Sequence, residues 1–223
     1  MFLHGWGGDE RSFCGLAEVL SREFCVTLVD FYGFGKTPHP DFPLTLDDYC
    51  NSVVALISHY KMKNVILIGH SFGGRVALRL ARQKGYLFDR IVLIGSAGLK
   101  PRRGLKYHFR VLRYKFNRRM GRTVCDAGSA DYRALQGAMK KTFVNIVNED
   151  QKTDLPFITL PVLLIWGAND AETPLYMAKR MRRLLPASTL HVLPEAGHYV
   201  YLERPFETLG LIKDFIGGET ECL

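Results

Sequence analysis

The sequence predicts an α/β fold, a mostly parallel β-sheet with helices on both faces. Short apolar runs rich in β-branched residues alternate with longer amphipathic runs. The short runs are apolar almost throughout, which is typical of strands buried on both faces. A chain of 223 residues, 47% of them apolar, is long enough for one sizeable core and short for two. Together these observations favour a single α/β domain.

Six short apolar runs predict the strands, at residues 1–4, 25–30, 64–69, 90–95, 161–167 and 188–193. Five segments with helical spacing of their apolar residues lie between or after them, at residues 11–22, 46–60, 72–84, 175–184 and 205–216. Thr45 has the side chain of a helix N-cap and precedes two aspartates, and Pro174 suits a first helical position. The repeated order of strand and helix predicts parallel pairing.

Cysteine usage and the apolar runs exclude several classes of protein. The five cysteines are odd in number, scattered and without Cys-x-x-Cys spacing, so neither a disulfide framework nor a zinc site is indicated. The chain opens without a signal-like segment, and no apolar run approaches the roughly 18 residues that cross a bilayer. We therefore expect a cytoplasmic protein without a transmembrane segment, a metal site or a cofactor.

The strand signal is missing between residues 97 and 160. Such a length is too great for a bare connection in a compact domain, so a helical insertion is expected. Leu105, Phe109, Leu112 and Phe116 recur at helical spacing and predict an amphipathic lid helix. The expected organisation is a core formed by residues 1–96 and 161–223, with a lid at 97–160.

A basic segment at residues 100–122 carries the charge excess of the chain, whose formal net charge is +8. Two interpretations stay open: a solvated helix face, or a cluster that attracts an anionic ester, an acyl-CoA thioester or an acidic acyl-carrier protein. The interleaved aromatic residues are also compatible with nucleic-acid or membrane-surface binding. We disfavour both, because a lid needs those aromatic residues for packing.

A G-x-S-x-G pattern, Gly69-His70-Ser71-Phe72-Gly73, stands between a predicted strand and a predicted helix. In a strand–turn–helix unit this pattern places the serine on a tight turn, where glycines are needed to avoid backbone collisions. The pattern alone is a weak signal, and its position after a strand strengthens it. Ser71 is therefore a candidate nucleophile at the N-terminus of a helix.

A serine nucleophile needs a base, and the base needs a carboxylate that orients it. His198 lies in a glycine-containing loop after the last predicted strand, and Asp170 directly follows the fifth. Glu172, two residues further on, is a rival carboxylate. The carboxyl ends of parallel strands meet at one edge of a sheet, so we expect Ser71, Asp170 and His198 to lie close together.

Five motifs in order carry a resemblance to a known family: HGWGG at 4–8, DFYGFGKT at 30–37, GHSFGG at 69–74, WG at 166–167 with Asp170 and Pro174, and GH at 197–198. With them the chain resembles the α/β-hydrolases that carry a lid. The resemblance implies Ser71 as nucleophile, His198 as general base and then acid, and Asp170 as its orienter. It also implies an oxyanion hole formed by the backbone N–H groups of Trp6 and Phe72.

The chain departs from that family at its start. Relatives usually have two further strands before the one that ends in His-Gly, so we expect about six strands here. The strand at residues 25–30 would then lie at an exposed sheet edge, where its apolar residues favour association into an oligomer.

The function predicted on these grounds is that of a carboxylesterase-like serine hydrolase, which cleaves a small ester or thioester through an acyl-enzyme. A hydrolase of carbon–carbon bonds, or a lyase like that of the menaquinone pathway, could use the same three residues. A ligand-binding protein without catalytic activity is the alternative of another class. Labelling of Ser71 by an active-site probe discriminates an enzyme from a binding protein.

Overall fold

The computed structural model of the protein describes residues 1–101, 132–133 and 135–217. Within these residues the chain forms a six-stranded parallel sheet, in the order β2-β1-β3-β4-β5-β6. The strands are β1 (Phe2–Leu3), β2 (Leu28–Val29), β3 (Val65–His70), β4 (Phe88–Ile94), β5 (Val162–Gly167) and β6 (Ser188–Leu193). The predicted fold class is confirmed, and β2 is at a sheet edge as expected.

The two edge-side strands are shorter than their apolar runs predict. β1 and β2 contain two residues each, whereas β3, β4 and β5 contain six or seven. Residues beside β2, such as Val26 and Thr27, are only half-buried. The central strands have neighbours on both sides, and every residue of β5 is buried.

Seven helices flank the sheet in the described part of the chain: α1 (Cys14–Leu20), α2 (Leu46–His59), α3 (Phe72–Lys84), α4 (Gly137–Val147), α5 (Leu175–Leu184), α6 (Val200–Glu203) and α7 (Pro205–Gly217). Short 3-10 turns occupy Glu10–Phe13, Gly85–Leu87 and Leu155–Phe157. α3 and α5 have the predicted bounds. α1 is shorter than predicted because its first turn is a 3-10 turn, and α6 has only four residues, too few for a periodic signal.

Local signals at two helix starts have different outcomes. Thr45 caps α2 as predicted: its hydroxyl accepts a hydrogen bond from the Asp48 amide, and the Asp48 carboxylate accepts one from the Thr45 amide at 2.7 Å. Pro174, expected at the first helical position, lies one residue before α5. Its ψ of 147° is extended, so the helix begins at Leu175.

Two apolar clusters, one on each face of the sheet, form the core. The first joins α2, α3 and α5 to the sheet through residues such as Val53, Val76 and Met181. The second joins α1 and α7 to the opposite face through Leu20 and Ile212. Helices thus cover both faces, as the apolar character of the strands predicts.

The predicted lid helix at residues 105–116 lies outside the described residues. α4, which belongs to the predicted insertion, packs on the loop before α2. Thr142 Oγ1 accepts a hydrogen bond from the Leu44 amide at 2.8 Å, and Asn145 Nδ2 donates one to the Leu44 carbonyl at 3.0 Å. No helix in the described ranges has the length and apolar character needed to cross a membrane.

Candidate active site

Ser71 lies on a strained turn between β3 and α3. Its φ of 49° and ψ of −108° are unusual for a residue with a side chain. A Cβ on Gly69 would lie 2.7 Å from the backbone of Gly73, and a Cβ on Gly73 would lie 1.9 Å from the Leu3 carbonyl oxygen. Glycine is therefore required on both sides of the serine, which is the physical reason for the G-x-S-x-G pattern.

Asp170 and His198 are brought together at the carboxyl edge of the sheet. His198 Nδ1 lies 2.9 Å from Asp170 Oδ2, and both side chains are almost fully buried. Asp170 Oδ1 accepts hydrogen bonds from the amides of Glu172 and Thr173 at 2.9 and 2.8 Å. Burial alone would raise the pKa of Asp170, but the hydrogen bonds from His198 and Thr173 outweigh it and hold that pKa below its usual value. The carboxylate is thus ionised and oriented toward Nδ1.

Close backbone contacts hold the loop that carries His198 against β5. The Asn169 amide donates to the Ala196 carbonyl at 2.8 Å, and a Cβ on Gly167 would lie 2.1 Å from the Gly197 carbonyl oxygen. The Gly197 amide donates to the Glu203 carboxylate of α6 at 2.6 Å. Helix α6, which the sequence pattern missed, therefore helps to place His198.

His70 packs beside the Ser71 turn. Its ring centroid lies 4.7 Å from that of His198, and its Nε2–H donates to the His198 carbonyl at 3.1 Å. Burial, together with the charge of His198, lowers the pKa of His70 to about 3. His70 is therefore a neutral packing residue that ties the Ser71 turn to the His198 loop.

The loop after β1 passes close to Ser71. A Cβ on Gly5 would lie 3.4 Å from the Ser71 Cβ and 2.8 Å from His70 Nδ1. His4 holds this loop: Nδ1–H donates to the Gly5 carbonyl at 2.8 Å, and Nε2 accepts from the Phe31 amide at 3.1 Å. Burial lowers the pKa of His4, so that its neutral form persists.

The two predicted oxyanion donors belong to segments next to Ser71. Phe72 is the first residue of α3, where a backbone N–H has no partner within its own helix. Trp6 follows Gly5 in the loop described above, and its ring packs 5.4 Å from that of Phe72 and 5.0 Å from that of Phe143 on α4. Aromatic contacts thus connect the loop, α3 and α4 around the serine.

Glu172 adds a contact that the sequence did not predict. Its Oε2 lies 3.3 Å from His198 Nε2, the nitrogen opposite Asp170. Among the described residues, the Ser71 hydroxyl makes no hydrogen bond to His198. The sequence presented Glu172 only as a rival to Asp170, and the structure separates them: Asp170 is at Nδ1 and Glu172 at Nε2. Thr173, also missed, supports Asp170 through its amide and its hydroxyl.

The model of the Alpha/beta hydrolase family matches residues 1–210. The chain belongs to this family. One relative is YugF, an uncharacterized hydrolase of Bacillus subtilis, which is 27% identical over 96% of this chain and 88% of its own. Another is a pimeloyl-[acyl-carrier protein] methyl ester esterase of Nitrosomonas europaea, which is 28% identical over 92% of this chain and 90% of its own. A solved structure of a thermophilic esterase from Thermogutta terrifontis covers 97% of this alpha/beta hydrolase and 88% of its own chain, with a TM-score of 0.76 and 22% identity. The family includes esterases, and the match supports the fold of the described sheet.

Proposed function

We propose that the protein is a serine hydrolase that cleaves a carboxylic ester or thioester, with Ser71 as nucleophile, His198 as general base and acid, and Asp170 as the carboxylate that orients it. The observation that carries the proposal is the 2.9 Å contact between Asp170 Oδ2 and His198 Nδ1, at the sheet edge where the strained Ser71 turn also lies. An imidazole with its proton on Nδ1 has a lone pair on Nε2 that can accept a proton from serine.

In the first half-reaction, Ser71 Oγ forms a bond to the substrate carbonyl carbon as its proton passes to His198 Nε2. The negative charge that develops on the carbonyl oxygen is stabilised by the N–H groups of Trp6 and Phe72. The bond to the leaving oxygen or sulfur then breaks, and His198 returns its proton to that atom. The product is an acyl-enzyme on Ser71 and a free alcohol or thiol.

In the second half-reaction, a water molecule gives a proton to His198 and attacks the acyl carbon. The bond to Ser71 Oγ breaks and the proton returns to the serine, which releases a carboxylic acid. No step requires an oxidant, a reductant or a metal. The N. europaea relative is named for the cleavage of a methyl ester, which supports an ester as the substrate class.

The test is covalent labelling by a fluorophosphonate probe, with p-nitrophenyl acetate hydrolysis measured in parallel. We expect peptide mass spectrometry to locate the label on Ser71. The Ser71→Ala variant should not be labelled, and its kcat should be lower by at least about 10³-fold. Ser21→Ala removes an exposed hydroxyl at the end of α1 and should retain both. A labelled or active Ser71→Ala would overturn the proposal.

A ligand-binding protein without turnover is the second candidate. It is favoured by one observation, the approach of Glu172 rather than Ser71 to His198 Nε2. A folded wild-type protein that neither reacts with the probe nor hydrolyses the ester would support this second candidate over the first.

A further inference from the structure

Glu172 presents a carboxylate where the leaving group must receive its proton. Its Oε2 is 3.3 Å from His198 Nε2, and its side chain is 62% exposed, so the carboxylate is both next to the reacting nitrogen and open to solvent. In the proposed mechanism the leaving oxygen or sulfur must approach the same nitrogen. In that mechanism Glu172 is therefore beside the leaving group.

The hydrogen bond at Nδ1 makes this carboxylate available to a substrate. When His198 is the neutral base with its proton on Nδ1, Nε2 carries a lone pair and cannot donate to Glu172. Two acceptors then face each other across 3.3 Å. A positively charged or hydrogen-bond-donating group of the substrate would give the carboxylate the partner that the neutral imidazole cannot provide.

An aromatic ring next to His198 adds to this preference for a cation. Tyr199 is 46% exposed, and its ring centroid lies 5.4 Å from that of His198. Aromatic faces attract cations, and the attraction adds to that of a nearby carboxylate. Among the described residues, the basic side chain within reach of Glu172 is that of His198, 3.3 Å away.

We propose that Glu172 is a specificity-determining residue, which favours esters whose leaving group carries a positive charge or a hydrogen-bond donor and disfavours those whose leaving group is anionic. This inference rests on the proposed function. It also limits the anionic substrates that the basic segment at 100–122 suggests, because their negative charge must then lie in the acyl part.

The experiment compares acetylcholine with 3,3-dimethylbutyl acetate, an ester of the same shape that lacks the charge. At about 4 Å in a water-like medium, one carboxylate favours a unit cation by a factor of about five. We therefore expect Glu172→Gln to lower the ratio of kcat/KM for the charged ester over the neutral one about fivefold. In the same variant, kcat/KM for the anionic ester acetoxyacetate should rise relative to kcat/KM for the neutral ester.

Glu195→Gln is the matched control. Glu195 is exposed in the loop that carries His198 and pairs with Arg204 at 3.1 Å, so this change also removes one negative charge from that part of the surface. It should leave the ratio at the wild-type value. An equal fall in both variants would show a general field effect and would overturn the assignment to Glu172, as would an unchanged ratio in Glu172→Gln.

Binding to the Ser71→Ala protein separates this inference from the proposed function. NMR titration gives the dissociation constants of acetylcholine and of 3,3-dimethylbutyl acetate without turnover. The ratio of these two constants is measured in Ser71→Ala and in the double variant Ser71→Ala, Glu172→Gln. If the wild type hydrolyses neither ester but this ratio depends on Glu172, the proposed function fails and the charge preference stands. Absence of binding, or a ratio that does not depend on Glu172, overturns the inference.

Discussion

At the scale of single residues, the site is defined by which nitrogen of His198 each carboxylate faces. Asp170 is buried at Nδ1 and accepts further hydrogen bonds from the amides of Glu172 and Thr173. Glu172 is exposed at Nε2. Only the Nδ1 contact can fix the tautomer that a general base needs, so the two acids should have separate effects on catalysis.

Replacement of the buried acid tests this difference. In Asp170→Asn the amide can donate to Nδ1 and so favours the wrong tautomer; in a serine protease the same change costs about 10⁴-fold in kcat. We expect a fall of about 10³- to 10⁴-fold in kcat for p-nitrophenyl acetate, measured with folding checked by circular dichroism. An equal loss in Glu172→Gln would instead identify Glu172 as the orienting acid.

At the scale of elements, the site depends on how closely β1 approaches the start of α3. The Leu3 carbonyl lies where a Cβ of Gly73 would be, and this contact brings the loop after β1 close to the serine turn. The start of α3 also meets the loop after β4, because Ser96 Oγ lies 2.2 Å from the position of a Cβ on Gly74. A side chain at Gly73 would push β1 and its loop away from the turn.

Gly73→Ala should therefore be severely destabilising. The added methyl would meet backbone at 1.9 Å, which a side-chain rotation cannot relieve, and we expect a loss of more than about 3 kcal/mol in the free energy of unfolding, measured by urea denaturation. Gly210→Ala is the matched control. Gly210 is in α7, and apart from its own helix nothing lies within 4 Å of its Cβ position, so alanine should stabilise by about 0.5–1 kcal/mol. Comparable stability of the two variants would contradict the close approach.

The elements show why some features could be predicted from the sequence and others could not. β3 and α3 have strong local signals, an apolar run and a periodic amphipathic run, and both were located closely. The short β1 and β2 are determined by their neighbours in the sheet rather than by their own residues. The contact of Glu172 with Nε2 depends on how two loops 26 residues apart meet, so no local pattern contains it.

At the scale of the whole molecule, several buried groups link stability to pH. Burial lowers the pKa of His70 to about 3, whereas an unfolded chain has a histidine pKa near 6.5. The unfolded state thus binds more protons than the folded state between these values, and stability is lost as the pH falls through that range. The lowered pKa values of His4 and Asp170 act in the same direction.

We accordingly expect the free energy of unfolding to fall by on the order of 2 kcal/mol between pH 8 and pH 5 from His70 alone. Urea denaturation at both pH values measures it. His70→Gln should reduce this difference, whereas His59→Gln, near the end of α2, should not. If the free energy of unfolding of His70→Gln keeps the full pH dependence, groups other than His70 bind the protons that destabilise the folded state.

The two tryptophans of the sequence contact different parts of the site and are natural fluorophores for it. Trp166 is fully buried, and its indole N–H donates to the Thr173 carbonyl at 2.6 Å, so its emission should be blue-shifted and sensitive to the Asp170 loop. Trp6 is half-buried among Phe34, Phe72 and Phe143. A Trp166→Phe protein would therefore let substrate entry at the Ser71 turn be followed optically, in real time and without a label.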